Sequence, residues 1–123
     1  MGVLRALGPA DELAFYRQLW RHSSDPFWLC EVVGDDFIVI AVNPAEERLD
    51  SRFQSGVSLR SVFGLGEDGD ALLSGYFTCR DTGEPLTFDQ RPVINGKPMA
   101  FQTLLVPVKD EQGVVTHIWG SAA

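Results

Sequence analysis

The sequence predicts an α+β fold in which two strands, a group of short helices and three further strands follow one another. The clearest sign of the later strands is Asn95-Gly96, which separates two long apolar-rich runs, Leu86 to Ile94 and Lys97 to Val108. Asn and Gly tolerate the positive φ angles of a tight hairpin turn, so this pair predicts antiparallel strands. An earlier pair of runs, Phe27 to Val33 and Phe37 to Val42, predicts a second hairpin.

A two-residue loop at Asn95-Gly96 also predicts the register of the later hairpin. The predicted cross-strand pairs are Ile94 with Lys97, Pro92 with Met99, Gln90 with Phe101, Phe88 with Thr103, and Leu86 with Leu105. One face of this hairpin is mostly apolar. The third strand, Val114 to Ser121, carries large residues on both faces, so something is expected to cover each face of the sheet.

The N-terminal segment predicts a helix that begins near Asp11 and ends near His22, before Pro26. Asp11 is expected to be the N-cap. Two apolar stripes run along this helix, one formed by Leu13, Tyr16 and Trp20 and the other by Phe15 and Leu19. Two stripes indicate a helix that buries more than one face.

The segment between the two hairpins predicts helices. Asn43 is expected to cap a short helix, Pro44 to Leu49, because Asn satisfies free N–H groups and Pro suits the first helical position. Ser58 is expected to cap a helical turn, and a longer helix is predicted from Glu67 to Arg80.

Composition restricts the classes of function. A chain of 123 residues with 45% hydrophobic and 22% charged residues is expected to form one globular domain. The net charge of −7 argues against a nucleic acid or an anionic membrane as partner. The N-terminus has no apolar run of signal-peptide or membrane-span length, so a cytoplasmic location is expected.

No catalytic or metal-binding pattern is present in the sequence. The two cysteines, Cys30 and Cys79, and the two histidines, His22 and His117, lack metal-ligand spacing. Neither a Ser-His-Asp order nor a Gly-rich phosphate loop occurs. The adjacent carboxylates Glu46 and Glu47 are interpreted as solvated surface residues. The sequence therefore predicts a protein that is not an enzyme and has no metal.

The order of elements, together with three short segments, resembles the PAS family of sensor domains from about Ser24 to Ser121. The segments are Asp25 to Leu29, Val42 to Ala45, and Val106 to Val115 followed by Ile118 to Gly120. The resemblance implies a five-stranded antiparallel sheet with short helices on one face and the N-terminal helix on the other. It divides the chain into a capping or dimerisation helix, residues 1–23, and a PAS-like domain, residues 24–123.

The resemblance also implies a ligand site between the sheet and the helices, with a filled core as the alternative. The candidate ligand-binding residues are Trp28, Cys30, Tyr76, Phe88, Phe101, Thr103 and Ile118. Flavin-binding relatives need a reactive cysteine on a middle helix, and Cys79 falls too late in its helix. Haem-binding relatives use a histidine from the helical segment, and none lies between Pro44 and Pro85. No known cofactor is therefore expected. Binding of an unidentified small molecule is the alternative.

The outer face of the sheet is predicted to be apolar at Leu104, Val106, Val115 and Trp119, a patch that needs a cover. A homodimer is expected, formed by the N-terminal helix and this face. The candidate interface residues are Leu13, Phe15, Tyr16, Leu19, Trp20, His117 and Trp119. Family members usually continue beyond the position of Ala123 into a signalling helix, so a C-terminal effector domain of a longer protein is the other expected partner.

These observations predict a non-catalytic sensory or protein-interaction domain of a bacterial-type signalling protein, such as a histidine kinase or diguanylate cyclase, with or without a small apolar ligand. The alternative is a small cone-shaped α+β enzyme or carrier of the ketosteroid-isomerase type. That fold would need a buried carboxylate as its base. Two strands, then helices, then three strands would favour the sensor.

Overall fold

The computed structural model describes residues 8–64 and 67–123. Its helices are α1 (Pro9–His22), α2 (Pro44–Leu49), α3 (Leu59–Phe63) and α4 (Glu67–Thr82). Its strands are β1 (Phe27–Val33), β2 (Asp36–Val42), β3 (Leu86–Gln90), β4 (Val93–Ile94), β5 (Lys97–Pro98), β6 (Phe101–Lys109) and β7 (Val115–Ala122). Residues 1–7 of the predicted N-terminal segment lie outside the described residues.

Five strands form one antiparallel sheet in the order β2-β1-β7-β6-β3. The last strand, β7, therefore lies at the centre, between β1 and β6. The helices α3 and α4 pack against this sheet. The predicted α+β architecture, with two strands, then helices, then three strands, is confirmed.

The hydrophobic core lies between the sheet and the helices of residues 44–82. Its fully buried side chains include Phe37 and Val39 from β2, Leu59 from α3, and Leu73 and Tyr76 from α4. Phe37 packs against both Tyr76 and Phe77, with ring centroids 5.4 Å apart in each case. This aromatic group joins the edge of the sheet to the long helix.

Asn43 connects the first hairpin to the helices. Its side-chain Oδ1 accepts the backbone N–H of Phe27 at 2.8 Å and that of Glu46 at 3.0 Å, while its Nδ2 donates to the carbonyl of Asp25 at 2.9 Å. The predicted cap of α2 is therefore present, and the same residue also holds the start of β1. Ser58 caps α3 as predicted, through the N–H of Arg60.

The Asn95-Gly96 hairpin has the predicted register, but its two strands are interrupted and do not run unbroken from the main sheet to the turn. Gln90 pairs with Phe101 and Ile94 with Lys97, and both turn residues have positive φ, 53° and 76°. The tip, β4 with β5, forms a separate two-stranded sheet. Pro92 has no N–H to donate to a ladder, so β3 ends at Gln90 and the tip diverges from the main sheet.

Helix α1 differs from the prediction at its start and in its packing. Its N-cap is Gly8, and Asp11 lies in the first turn, where a carboxylate favours the helix dipole. Every residue from Pro9 to Leu19 is exposed, and only Trp20 is half-buried. The helix therefore does not bury two stripes within one chain, and its apolar side chains face solvent.

Candidate ligand cavity

A small, partly open cavity lies between the sheet and α2 and α4. Its volume is about 30 Å³. It is lined by Trp28, Glu46, Leu49, Asp50, Phe53, Phe63, Tyr76, Gln90, Pro92, Ile94, Phe101, Thr103 and Ala122. The walls are mostly apolar, with polar residues from five elements: β1, the α2 segment, α4, β3 and β6.

Trp28 is positioned on β1 by a close contact with β7. The indole ring lies directly over Gly120, where a Cβ atom would stand 2.3 Å from Nε1. Trp28 and Gly120 are cross-strand partners, so a residue without a side chain at position 120 leaves room for the ring. The other side of the ring packs edge-on against Phe53, with centroids 6.0 Å apart.

Two buried polar atoms of the cavity wall lack hydrogen-bond partners among the described residues. They are Nε1 of Trp28 and the hydroxyl of Tyr76. The two groups are neighbours, yet their geometry is not that of a hydrogen bond. Burial, followed by the neighbouring Cys30, raises the pKa of the Tyr76 hydroxyl well above its ordinary value, while the indole N–H of Trp28 acts in the opposite direction. Unsatisfied buried polar groups are rare in proteins because each costs free energy.

Glu46 adds a buried carboxyl group to the same wall. Only 3% of the residue is exposed. Burial, reinforced by the negative charge of Asp50, raises the pKa of Glu46 to about 8. The carboxyl group is therefore mostly protonated at neutral pH. The interpretation of Glu46 as a solvated residue was wrong, whereas its neighbour Glu47 is exposed as expected.

Asp50 is buried beside the cavity but has a charged partner. Nε and Nη2 of Arg52 donate to the two carboxylate oxygens of Asp50 at 2.9 and 2.8 Å. Arg52 also donates to the carbonyls of Val62, at the end of α3, and Val93, in the hairpin tip, at 3.0 and 3.3 Å. One guanidinium thus joins three segments that surround the cavity.

Thr103 and Gln90 form a satisfied polar pair on the opposite wall. The Thr103 hydroxyl donates to Oε1 of Gln90 at 3.1 Å, and Nε2 of Gln90 donates to the carbonyl of Leu72 at 3.2 Å. Both residues are buried. Thr103 and Gln90 therefore hydrogen-bond to other groups of the protein, whereas Nε1 of Trp28 and the hydroxyl of Tyr76 have no such partner among the described residues.

The structure brings four of the seven predicted ligand-binding residues to the cavity: Trp28, Tyr76, Phe101 and Thr103. Cys30 and Ile118 are fully buried but lie elsewhere in the core. Phe88 packs over Gly75 of α4 and lines an open groove of about 950 Å³ between α4 and the β3–β4 segment. The role of each residue in ligand binding stays a prediction.

Sequence reasoning missed Glu46, Asp50 and Phe53, which line the cavity. A signal for Glu46 was present in the pattern of α2. The Asn43-Pro44 start fixes where the helix begins, and Leu49 stands three residues after Glu46, so the two share one helix face. An apolar residue at that spacing indicated that Glu46 faces the core.

The cysteines lie in apolar surroundings. Cys30 and Cys79 are both fully buried in the hydrophobic core. Burial raises the pKa of Cys30 to about 12 and that of Cys79 to about 11, which keeps both thiols protonated. Within the described ranges, no group of three or more His, Cys, Asp or Glu side chains could hold a metal ion.

The predicted interface residues lie on α1 and on the outer face of the sheet. Leu13, Phe15, Tyr16 and Leu19 are about half exposed. Trp20 contacts Phe27, and Phe27 contacts Trp119, with centroids 6.0 and 5.2 Å apart. This aromatic contact places α1 on the outer side of the sheet. His117 and Trp119 are half-buried.

Among the described helices, none is long and apolar enough to cross a membrane.

The family model described as PAS fold matches residues 21–122. The chain belongs to the PAS fold family. The match includes the whole main sheet and the cavity, but only the last two residues of α1, Arg21 and His22. No curated protein matches the sequence. The observed element order and the family match favour the sensor over the ketosteroid-isomerase-type alternative.

Solved structures share the fold at low sequence identity. A PAS domain from Colwellia psychrerythraea has a TM-score of 0.72 and 16% identity, covering 92% of this chain and 96% of that one. An RNA-binding light-oxygen-voltage receptor has a TM-score of 0.71 and 19% identity, covering 100% of this chain but 36% of the receptor. A sensor histidine kinase structure from Vibrio cholerae has a TM-score of 0.59 and 22% identity, covering 93% and 88%.

Proposed function

We propose that this PAS domain is a non-catalytic sensory module of a cytoplasmic signalling protein. It binds a small, largely apolar ligand in the cavity between the sheet and α2 and α4. It controls an effector domain that follows β7 in a protein of the histidine kinase or diguanylate cyclase class. The similarity to a sensor histidine kinase structure supports this class.

The cavity is the observation that carries this proposal. Protein interiors are densely packed, and buried polar atoms are normally paired. Here the indole N–H of Trp28 and the hydroxyl of Tyr76 are both buried and unpartnered among the described residues. They lie in a wall that is otherwise mostly apolar. A wall with few, convergent polar groups is typical of small-molecule sites.

The partners in this proposal are a second copy of the chain and the effector. Half-exposed Leu13, Phe15, Tyr16 and Leu19 on α1 support self-association, because apolar surface of this kind is costly to leave in water. His117 and Trp119 on the outer face would border the same interface. An RNA partner is not favoured, although one structural neighbour is described as RNA-binding, because this chain carries a net charge of −7.

Native mass spectrometry and an absorbance scan of freshly purified protein test for a retained ligand. We expect a bound small molecule, or an increase in thermal stability when small apolar compounds are added. The same compounds should not stabilise a variant whose cavity is filled, such as Ala122→Leu. If no compound of this size stabilises the wild-type protein and no extra mass is retained, ligand sensing is refuted.

Sedimentation measurements test the dimer. We expect the wild-type protein to dimerise and Phe15→Glu to shift it towards monomer, because a charge would enter the apolar contact. Gln18→Glu, which introduces the same charge elsewhere on α1, is the matched control and should leave the dimer intact. A monomeric wild-type protein at high concentration, or equal effects of both substitutions, would contradict the interface.

A further inference from the structure

The polar atoms of the cavity wall define the chemistry that it can receive. Trp28 contributes an N–H, which only donates hydrogen bonds. Tyr76 contributes a hydroxyl, and Glu46 contributes a carboxyl group, both from separate helices. The Tyr76 hydroxyl lies near enough to Trp28 and Glu46 for each to influence its ionisation. Three hydrogen-bonding groups therefore belong to residues that line one small space.

At neutral pH, all three groups are able to donate. The pKa of Glu46, raised to about 8 by burial and by Asp50, leaves this carboxyl group protonated. The other ionisable groups near Glu46 are Asp50 at the end of α2, Cys30 on β1 and Tyr76 on α4. Asp50 keeps its negative charge, which acts on Glu46, and is paired with the Arg52 guanidinium through a bidentate contact. Among the described residues that line the cavity, no unpaired charge is therefore available at neutral pH to attract an ionic ligand.

We propose that the cavity binds a small uncharged molecule with an acceptor oxygen, such as a simple amide, ketone or aldehyde, which accepts hydrogen bonds from Trp28 and Tyr76 beside the carboxyl group of Glu46. This inference rests on the proposed sensory function and specifies its ligand. The apolar remainder of the wall, including Phe53, Ile94 and Phe101, contacts the carbon atoms of the ligand.

Size restricts the ligand further. A water molecule needs about 10–15 Å³ of such volume, so the cavity of about 30 Å³ has room for roughly two waters, and a molecule the size of acetamide has to displace part of the wall. A larger ligand would have to displace more of it. Because so few atoms make contact, we expect dissociation constants of about a millimolar or weaker for such probes.

Protonation of Glu46 is expected to regulate binding. When the pH rises through about 8, the carboxyl group ionises and a carboxylate replaces a donor beside the acceptor oxygen of the ligand. Affinity should then fall by up to about tenfold per pH unit above that pKa. The Glu46→Gln variant keeps an uncharged side chain of the same shape and should bind independently of pH in this range.

Four isosteric probes distinguish the possible ligand classes: acetamide, acetate, acetamidinium and isobutene. The readout is the indole N–H resonance of Trp28 in a nitrogen-15 NMR titration, with the resonances of Trp20 and Trp119 as internal controls outside the cavity. We expect acetamide to shift the Trp28 resonance alone and to bind more tightly than the other three probes. Tyr76→Phe should stay folded and weaken acetamide binding by about three- to tenfold, because the variant loses one hydrogen bond to the ligand.

The outcomes separate this inference from the proposed function. If isobutene, acetate or acetamidinium binds more tightly than acetamide, the ligand is not an uncharged molecule with an acceptor oxygen. Small-molecule sensing as such would remain supported. Acetamide affinity that rises with pH, or that keeps its pH dependence in Glu46→Gln, would overturn the role of Glu46. If none of the four probes moves the Trp28 resonance, the three polar probes at molar concentration and isobutene at saturation, both the ligand class and small-molecule sensing at this cavity are refuted.

Discussion

The indole ring of Trp28 covers Gly120 so closely that a Cβ atom at position 120 would stand 2.3 Å from Nε1. The two residues are paired across β1 and β7, at the centre of the sheet. Any side chain at position 120 would therefore push the ring away from its place in the cavity wall. This contact links the central strand to the candidate site.

Gly120→Ala is expected to destabilise the domain by about 1–3 kcal/mol, because the added methyl group overpacks the contact with Trp28. Chemical denaturation measures the loss. Ser121→Ala, on the opposite face of the same strand, is the control and should have little effect. The smaller ring of Trp28→Phe should recover part of the loss in the double variant. Equal stability of Gly120→Ala and the wild type would contradict this packing.

The pH dependence of stability is expected to carry the signature of Glu46. Its pKa is about 8 in the folded domain and near 4.5 in the unfolded chain, so the folded state holds the proton more tightly. The contribution of Glu46 to the free energy of unfolding should be largest below about pH 4.5. It should fall by up to about 1.4 kcal/mol per pH unit as the pH rises from there to about 8.

Glu46→Gln tests that pH dependence by denaturation at several pH values. The variant should match the wild type near pH 4.5 and exceed its stability increasingly up to about pH 8, since Gln cannot ionise. Glu47→Gln is the matched control, because this neighbour is exposed. Parallel stability profiles for Glu46→Gln and the wild type would show that Glu46 is not the group responsible.

Arg52→Ala is expected to destabilise the domain by about 1–3 kcal/mol, because it leaves the Asp50 carboxylate buried without its partner. We expect a smaller loss than for a fully buried ion pair, because 45% of the Arg52 side chain is exposed and solvent screens its charge. Arg48→Ala, at an exposed position of α2, is the control. Asp50→Asn should recover part of the loss in the Arg52→Ala background, and no recovery would contradict the pairing.

Incubation with flavin mononucleotide or haemin is expected to leave the desalted protein colourless. Cofactor-sized pockets span about 300–1,000 Å³, and the cavity of about 30 Å³ is far smaller. The open groove of about 950 Å³ beside Phe88 is large enough, but no cysteine or histidine is among the described residues that line it. The buried Cys79 thiol, with a pKa of about 11, does not line the cavity. His22 on α1 and His117 on the outer face do not line it either. Stoichiometric visible absorbance after desalting would refute this prediction.

Much of the fold followed from local sequence patterns. The positive φ angles at Asn95 and Gly96, the cap at Asn43 and the register of Gln90 with Phe101 all depend on groups that are close in the chain or directly opposite across a turn. Steric and hydrogen-bond rules apply at that range whatever the rest of the protein does. Elements governed by them were therefore predictable.

The sequence by itself determined the order of elements, the inward face of the strands and the absence of a recognisable catalytic motif. The tertiary structure decided the burial of Glu46, the lack of hydrogen-bond partners for Trp28 and Tyr76 within the described part of the chain, and the exposure of α1. The physical reason is that strand and cap preferences are set by neighbouring residues, whereas burial depends on segments far apart in the chain. Glu46 shares its cavity with residues from β1, α4 and β6, and only their packing removes its carboxyl group from water and raises its pKa.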